Sequence, residues 1–195
     1  MKKGRRVVAL LGFLAAAAAG PAAAQDNGLY LGAQGGRSQW QESCQFRSGV
    51  CTDRDWAGRA FLGYQFNKYL GVEAAYVDLG EFQVSGTDPV TGPFDLTAGA
   101  DGFDLLAVLT IPLAARFSLV AKGGAYRVRV AADEKISGAR SGETSSGFAY
   151  GVGLGYDLGK LGIRAEALRY DSIGGARVGE DNVILYSLGL LFRFY

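Results

Sequence analysis

The chain of 195 residues contains no histidine and only two cysteines. A Ser-His catalytic pair is therefore impossible, and two thiolates alone make a poor zinc site. The carboxylates Glu73 and Glu166 remain as an acid–base pair, for example for acyl transfer on a lipid, but only if a substrate reaches them. We predict that the chain is not an enzyme and has no cofactor and no metal.

Long apolar runs and clustered positive charges are missing beyond the N-terminus. After Ala24 no stretch approaches the roughly 18 to 20 uninterrupted apolar residues of a membrane-spanning helix. Residues 1–24 hold four of the 20 basic residues and none of the 19 acidic ones. The remainder is mildly acidic without a basic stripe, so we expect no nucleic-acid partner.

The N-terminus has the features of an export signal. A basic segment at residues 2–6 precedes an apolar run from Val7 to Ala19, and three alanines precede Gln25. This pattern predicts a Sec-type signal peptide over residues 1–24, cleaved after Ala24, and one domain over residues 25–195.

Glycine is abundant, at 30 residues, and most glycines lie in segments where large and small residues alternate. Around residues 148–156 the aromatic and branched residues share one face, and alanine and glycine share the other. The last segment has the same period, with its outer face formed by Leu188, Leu190, Phe192 and Phe194. Large residues outside and small residues inside are typical of strands that face lipid.

The period of two predicts eight strands, near residues 28–40, 56–66, 70–82, 99–112, 117–130, 145–158, 161–171 and 182–195. Short turns at 67–69, 113–116 and 159–160 alternate with long polar loops at 41–55, 83–98, 131–144 and 172–181. This order predicts an all-β protein, an eight-stranded antiparallel up-and-down transmembrane β-barrel whose long loops face the outside of the cell. A soluble lipocalin-like barrel is the alternative, but its charges belong outside, whereas here they share the glycine face.

Several aromatic residues near strand ends or on the outer face are predicted to form interfacial girdles. They are Tyr30, Trp40, Trp56, Tyr64, Tyr69, Tyr126, Tyr156 and Tyr186.

Four segments resemble the transmembrane domain of OmpA-type outer-membrane proteins: LYLGAQGGRSQW, AFLGYQFNKYLGVEAAY, RAEALRYDSIGGA and YSLGLLFRF. The resemblance implies a monomeric barrel in the bacterial outer membrane, surrounded by lipid and lipopolysaccharide and inserted by periplasmic chaperones and the barrel assembly machinery. We expect no peptidoglycan-binding domain of the kind that often follows this barrel. The C-terminal insertion signal comprises Leu188, Leu190, Phe192, Phe194 and Tyr195, and its last aromatic is offset by one from the family pattern.

The alternation places six charged residues in the lumen: Arg59, Glu73, Asp104, Lys122, Arg164 and Glu166. In the OmpA-type family such a cluster closes the lumen and has been treated as a gate, which Glu73, Arg164 and Glu166 match by position. Val108, Gly153 and Gln34 replace a lysine, a glutamate and a further lysine of that pattern. Either the charges neutralise one another and plug the interior, or they control a conducting pore.

Cys44 and Cys51 lie in a polar segment of an exported chain, which favours a local disulfide over a metal site. Such a bridge stiffens the loop at 41–55 for contact with host or environmental ligands, or only protects it from proteolysis. Two functions follow: a structural and surface-interaction protein for envelope integrity and adhesion, or a small ion or solute channel gated by the lumenal charges. An ordinary porin is excluded, because an open aqueous channel needs roughly 16 strands.

Overall fold

The computed structural model describes residues 27–41, 50–88, 92–114, 116–134, 138, 140–175 and 179–194. Their strands are β1 (Gly28–Trp40), β2 (Val50–Thr52), β3 (Arg54–Gln65), β4 (Leu70–Asp88), β5 (Gly92–Ala114), β6 (Phe117–Glu134), β7 (Arg140–Leu158), β8 (Leu161–Gly175) and β9 (Gly179–Phe194). The predicted signal peptide, Cys44 and Tyr195 lie outside the described residues. Among those described, no helix has the length and apolar character needed to cross a membrane.

Eight of these strands form a closed antiparallel barrel, so the predicted fold is confirmed. From β3 to β9 each strand pairs with the next in the chain, and β1 closes the barrel by pairing with both β3 and β9. The remaining strand, β2, is short and was not among the eight predicted strands. It pairs with Gln83–Ser85 of β4, where β4 extends beyond its pairing with β3.

The two ends of the barrel differ. At one end, named here the turn end, the predicted short turns join neighbouring strands, and β1 begins beside the end of β9. The Asn67 side chain accepts hydrogen bonds from the backbone N–H groups of Tyr69 and Leu70, which fixes the first of these turns. Gly159 takes a positive φ of 85° in the last one, where a side chain is strained. The opposite end is named the hairpin end.

The long loops predicted at the hairpin end are wrong, because the strands extend into them. Strands β4 and β5 continue to Asp88 and from Gly92, and the β6–β7 and β8–β9 pairs extend in the same way. These segments are rich in Gly, Ser, Thr and Asp at outward positions, which resembles loop composition. Their inward positions hold apolar residues such as Phe82, Val84 and Ala98, which are buried. A period of two therefore continues through them, and on β4 it changes phase at the irregularity between Asp78 and Glu81.

The outer wall is apolar and exposed. Phe103 is 65% and Phe148 72% exposed, whereas the facing positions of the same strands hold buried residues such as Asp104 and Ala149. This arrangement excludes the soluble lipocalin-like alternative, which buries its apolar side chains inside the barrel.

The interior consists of three layers along the barrel axis. Tyr30, Phe61 and Leu191 lie towards the turn end and form a small apolar cluster with Ala75, which is the next inward residue after Glu73 on β4. The charged residues form the middle layer. The hairpin half is filled by a larger apolar layer, which includes Trp40, Val77, Leu79, Phe82, Val84, Tyr126, Val128, Val130, Leu168, Tyr170, Ile173, Val183 and Leu185. The prediction that inward positions hold small residues is therefore correct for some strands and not for the whole barrel.

Three of the predicted girdle residues point inward instead. Tyr30, Trp40 and Tyr126 are 3%, 2% and 3% exposed. Their positions share the phase of lumenal residues on the same strands, such as Gln34 on β1 and Lys122 on β6. The two-residue period, and not nearness to a strand end, therefore determines whether these side chains point inward.

Candidate functional site

The six charged residues predicted for the lumen lie together in the middle layer. Five strands contribute them: β3, β4, β5, β6 and β8. Their ion-paired side chains are at most 8% exposed. Charges so far from water must be paired, because an isolated buried ion costs several kcal/mol.

Arg59 on β3 and Asp104 on β5 form a bidentate ion pair inside the lumen. Arg59 donates from Nε to Asp104 Oδ2 at 2.9 Å and from Nη2 to Oδ1 at 2.7 Å. The Tyr170 hydroxyl donates a further hydrogen bond to Asp104 Oδ2 at 2.8 Å. The planar guanidinium matches the carboxylate geometry, so this pair fixes the orientation of both side chains.

Glu73 is the centre of the network. Its Oε2 accepts from Arg59 Nη1 at 2.8 Å and from Lys122 Nζ at 2.7 Å. Its Oε1 accepts from Arg164 Nη1 at 2.5 Å and from the Tyr30 hydroxyl at 3.1 Å. Every cation of the cluster therefore contacts this one carboxylate.

Glu166 completes the charge balance. Lys122 Nζ donates to Glu166 Oε2 at 2.9 Å, and Arg164 Nη1 lies 3.4 Å from Glu166 Oε1. Gln34, which replaces a lysine of the OmpA-type pattern, donates from Nε2 to Glu166 Oε2 at 2.7 Å. The network thus holds three cations, Arg59, Lys122 and Arg164, and three carboxylates, Glu73, Asp104 and Glu166.

Sequence reasoning missed the aromatic partners of these charges. The Phe61 ring lies 5.2 Å from the Arg59 guanidinium carbon, 5.3 Å from Lys122 Nζ and 5.8 Å from the Arg164 guanidinium carbon. These distances suit cation–π attraction. The signal for Phe61, Tyr30 and Tyr170 was present, since each lies two or four residues from an assigned lumenal position on its own strand.

Glycines make room for the aromatic rings. A Cβ added to Gly32 overlaps the Phe61 ring, and one added to Gly63 overlaps the Tyr30 ring. The small residues of the lumen therefore have a packing role, because they admit the large side chains that close the barrel.

The charged side chains of the lumen form ion pairs with one another, which leaves few groups for catalysis. Among the residues that the structure describes, no group of three acidic, cysteine or histidine side chains is suited to hold a metal ion. The carboxylates Glu73 and Glu166 are both engaged by cations, and their side chains are buried.

The other predicted residues are at the barrel wall and beside it. Leu188, Leu190, Phe192 and Phe194 all face outward on β9, at 62%, 61%, 40% and 41% exposure. The backbone of Cys51 pairs with Val84 in the β2–β4 ladder. The disulfide stays a prediction, because Cys44 lies outside the described residues.

Comparison with known proteins gives consistent matches. The model of the outer membrane protein beta-barrel domain matches residues 7–194. Outer membrane protein A of Serratia marcescens is 35% identical over 205 residues, which cover 96% of this chain and 54% of that protein. The chain therefore spans about half the length of this curated relative.

Solved structures share the fold at low sequence identity. Neisserial surface protein A matches with a TM-score of 0.62 and 16% identity, over 85% of this chain and 97% of that one. The attachment invasion locus protein of Yersinia pestis, solved with the heparin analogue sucrose octasulfate, has a TM-score of 0.54 and 18% identity. That match covers 86% of this chain and 99% of the other.

Proposed function

Because the chain belongs to the outer membrane protein β-barrel family, we propose that it is a structural barrel of the bacterial outer membrane that presents its hairpin end to the cell exterior. Its relatives are outer membrane proteins, in agreement with the prediction that it is not an enzyme. Short turns are periplasmic and longer connections extracellular in such barrels. The turn end accordingly faces the periplasm.

The observation that carries the structural role is the filled lumen. The charge network is bounded by an apolar layer on its periplasmic side and by a larger one on its extracellular side. A barrel filled in this way contributes a rigid apolar wall to the membrane. We propose that it acts as a monomer, inserted by chaperones and the barrel assembly machinery, and that it supports envelope integrity.

Surface interaction is the second part of the proposal. The hairpins β4–β5, β6–β7 and β8–β9 extend the barrel at its extracellular end, and β2 rests against β4 in the first connection. Strands hold these ends in fixed positions, and a fixed surface loses less entropy on binding. A barrel of the same fold from Yersinia pestis is named the attachment invasion locus protein.

The test of this part is the replacement of residues 42–49 by a glycine–serine segment of equal length. The variant is produced in a non-adherent bacterial strain, and bacteria bound to cultured epithelial cells are counted. The matched control replaces residues 135–137 in the β6–β7 connection. Loss of binding only in the first variant supports the surface role of the first connection, and unchanged binding in both variants contradicts it.

A small gated channel is the alternative function. One observation favours it: Arg164 contacts both Glu73 and Glu166, and Lys122 also bridges them, so the cations have two carboxylates between which to move. This function requires that Arg164→Ala or Glu73→Ala change the conductance of the reconstituted protein. It fails if the reconstituted protein leaves the bilayer insulating.

A further inference from the structure

Two neighbouring polar groups of the lumen have no hydrogen-bond partner in the protein. Among the described residues, the side-chain oxygens Gln34 Oε1 and Ser187 Oγ are buried and form no hydrogen bond. The two residues are only 5% and 8% exposed. A buried polar group without a partner lowers the stability of a fold, so each such group in a native protein requires an explanation.

The two groups lie beside each other at the seam where β1 pairs with β9 and closes the barrel. Gln34 on β1 pairs with Gly189 on β9, and Ser187 is the next inward position on β9. Diagonal neighbours of this kind have Cβ atoms within about 7 to 8 Å. Two hydrogen bonds that meet at one atom span about 5.6 Å. One small molecule therefore reaches both oxygens, whereas no direct hydrogen bond joins them.

The orientation of the Gln34 amide is fixed. Its Nε2 donates to Glu166 Oε2 at 2.7 Å. A carboxylate only accepts hydrogen bonds, so the amide nitrogen points to Glu166 and the carbonyl oxygen points away from it. Rotating the amide breaks this bond. Oε1 therefore needs a donor that the described residues do not supply.

Glu166 adds a third oxygen to the same place. It lies directly opposite Ser187, and its Oε1 is 2.7 Å from Lys122 Nζ without the geometry of a hydrogen bond. The inward positions on the flanking strands are glycines, with Gly36 opposite Ser187 on β1 and Gly153 opposite Glu166 on β7. Neither flanking strand therefore places a side chain between these groups.

We propose that one water molecule is bound at this point of the seam. It accepts a hydrogen bond from Ser187 Oγ, donates one to Gln34 Oε1 and directs its second proton to Glu166 Oε1. About three hydrogen bonds to otherwise unpaired buried groups are usual for an internal water. The water links β1, β9 and β8, which are the first strand of the barrel and the last two, from inside the lumen.

A metal cation such as sodium is the less suitable occupant. Lys122 and Arg164 already contact Glu166, and the charge network holds as many cations as carboxylates. A further cation therefore adds a buried charge without a counterion. A neutral molecule that donates two hydrogen bonds and accepts one matches the two acceptors and the hydroxyl group.

The direct test is a crystal structure of the refolded barrel at a resolution that shows ordered water. We expect a density peak about 2.5 to 3.0 Å from both Ser187 Oγ and Gln34 Oε1. Three results would each overturn the proposal: markedly shorter distances, which identify a metal cation, a direct hydrogen bond between Ser187 and Gln34, or no peak at this place.

Ser187→Ala tests the water through stability. If the hydroxyl group has no partner, its removal leaves the fold equally stable or makes it more stable. If the hydroxyl group binds the water, its removal costs one hydrogen bond. We expect the equilibrium constant of unfolding, measured by urea titration in lipid vesicles, to rise roughly two- to tenfold. An unchanged or lower constant contradicts the bound water.

A double-mutant cycle tests whether Ser187 and Gln34 share one water. Gln34→Met removes the carbonyl oxygen at similar size, and a shared water makes its effect non-additive with that of Ser187→Ala, by roughly threefold or more in the unfolding constant. Ser145→Ala is the matched control, because Ser145 is a buried serine that donates to the Ser172 carbonyl oxygen instead. Its effect is expected to add to that of Gln34→Met. Additive effects in both cycles, or equal coupling in both, would overturn the proposal.

Discussion

At the scale of single residues, Arg59 is the cation whose loss leaves most charge unpaired. It supplies both hydrogen bonds of its pair with Asp104 and one to Glu73. Removing one partner of a buried ion pair costs ~3 to 5 kcal/mol, because the other charge stays buried. Arg59→Met is therefore expected to lower the free energy of unfolding by about that amount, measured by urea titration of the barrel in lipid vesicles.

The double variant Arg59→Met, Asp104→Leu is the control for this prediction. It removes both charges of the pair, and replacing a buried ion pair by apolar residues is often close to neutral. We expect it to recover a large part of the lost stability, although Tyr170 then lacks its acceptor. A single variant as stable as the wild type contradicts the claim that Asp104 is buried and paired.

Gly63 tests the packing of the aromatic residues around the charges. A Cβ at this position overlaps the Tyr30 ring and lies 2.6 Å from its hydroxyl oxygen, which donates to Glu73. Overpacking of this kind costs ~1 to 3 kcal/mol, so Gly63→Ala is expected to destabilise the barrel by that amount in urea. Gly123→Ala, at an open outward position, is expected to have no such cost, and equal effects at the two glycines contradict the account.

The period of two was sufficient to predict which charged residues share the lumen, since one inward position on a strand determines the others. The period did not determine which of these side chains form ion pairs or hydrogen bonds with each other. Arg59 meets Asp104, and Gln34 meets Glu166, because strand register and tilt bring these positions to one level, and neither quantity is readable from a single strand. Tyr30 was misplaced because its nearness to a strand end was weighted above its phase.

At the scale of elements, strand existence was predictable and strand length was not. The segments at 83–98 and 131–144 contain glycine, serine and aspartate, and among their described residues Ser85 and Asp133 are exposed. Their buried positions, such as Val84 and Val130, still alternate with them. A prediction from composition therefore makes these strands too short. The inward residues considered by themselves predict the extended strand pairs that are observed.

The strand β2 gives the disulfide prediction a structural setting. The backbone of Cys51 is held against β4, so a bond from Cys51 to Cys44 anchors the first connection to the barrel. We expect mass spectrometry after alkylation without reductant to find both thiols blocked by the bridge. Trypsin is then expected to cut the first connection faster once the protein is reduced. Alkylation of both cysteines in the unreduced protein contradicts the bridge.

At the scale of the whole molecule, two kinds of closure act in series. The charge network occupies the middle of the lumen, and the apolar layer around Trp40, Phe82 and Leu185 fills the half towards the hairpin end. The Trp40 and Phe82 rings are in contact, with centroids 4.9 Å apart. Rearranging the ion pairs leaves this second layer in place, so a water path needs both layers to open.

The most direct test of this account is single-channel recording of the refolded protein in a planar bilayer, after a heat-dependent gel shift has verified folding. We predict an insulating bilayer for the wild type and also for Arg164→Ala, because the apolar layer remains closed when the charge network is broken. Discrete openings in the wild type, altered in conductance by Arg164→Ala, would contradict the account and establish the gated channel.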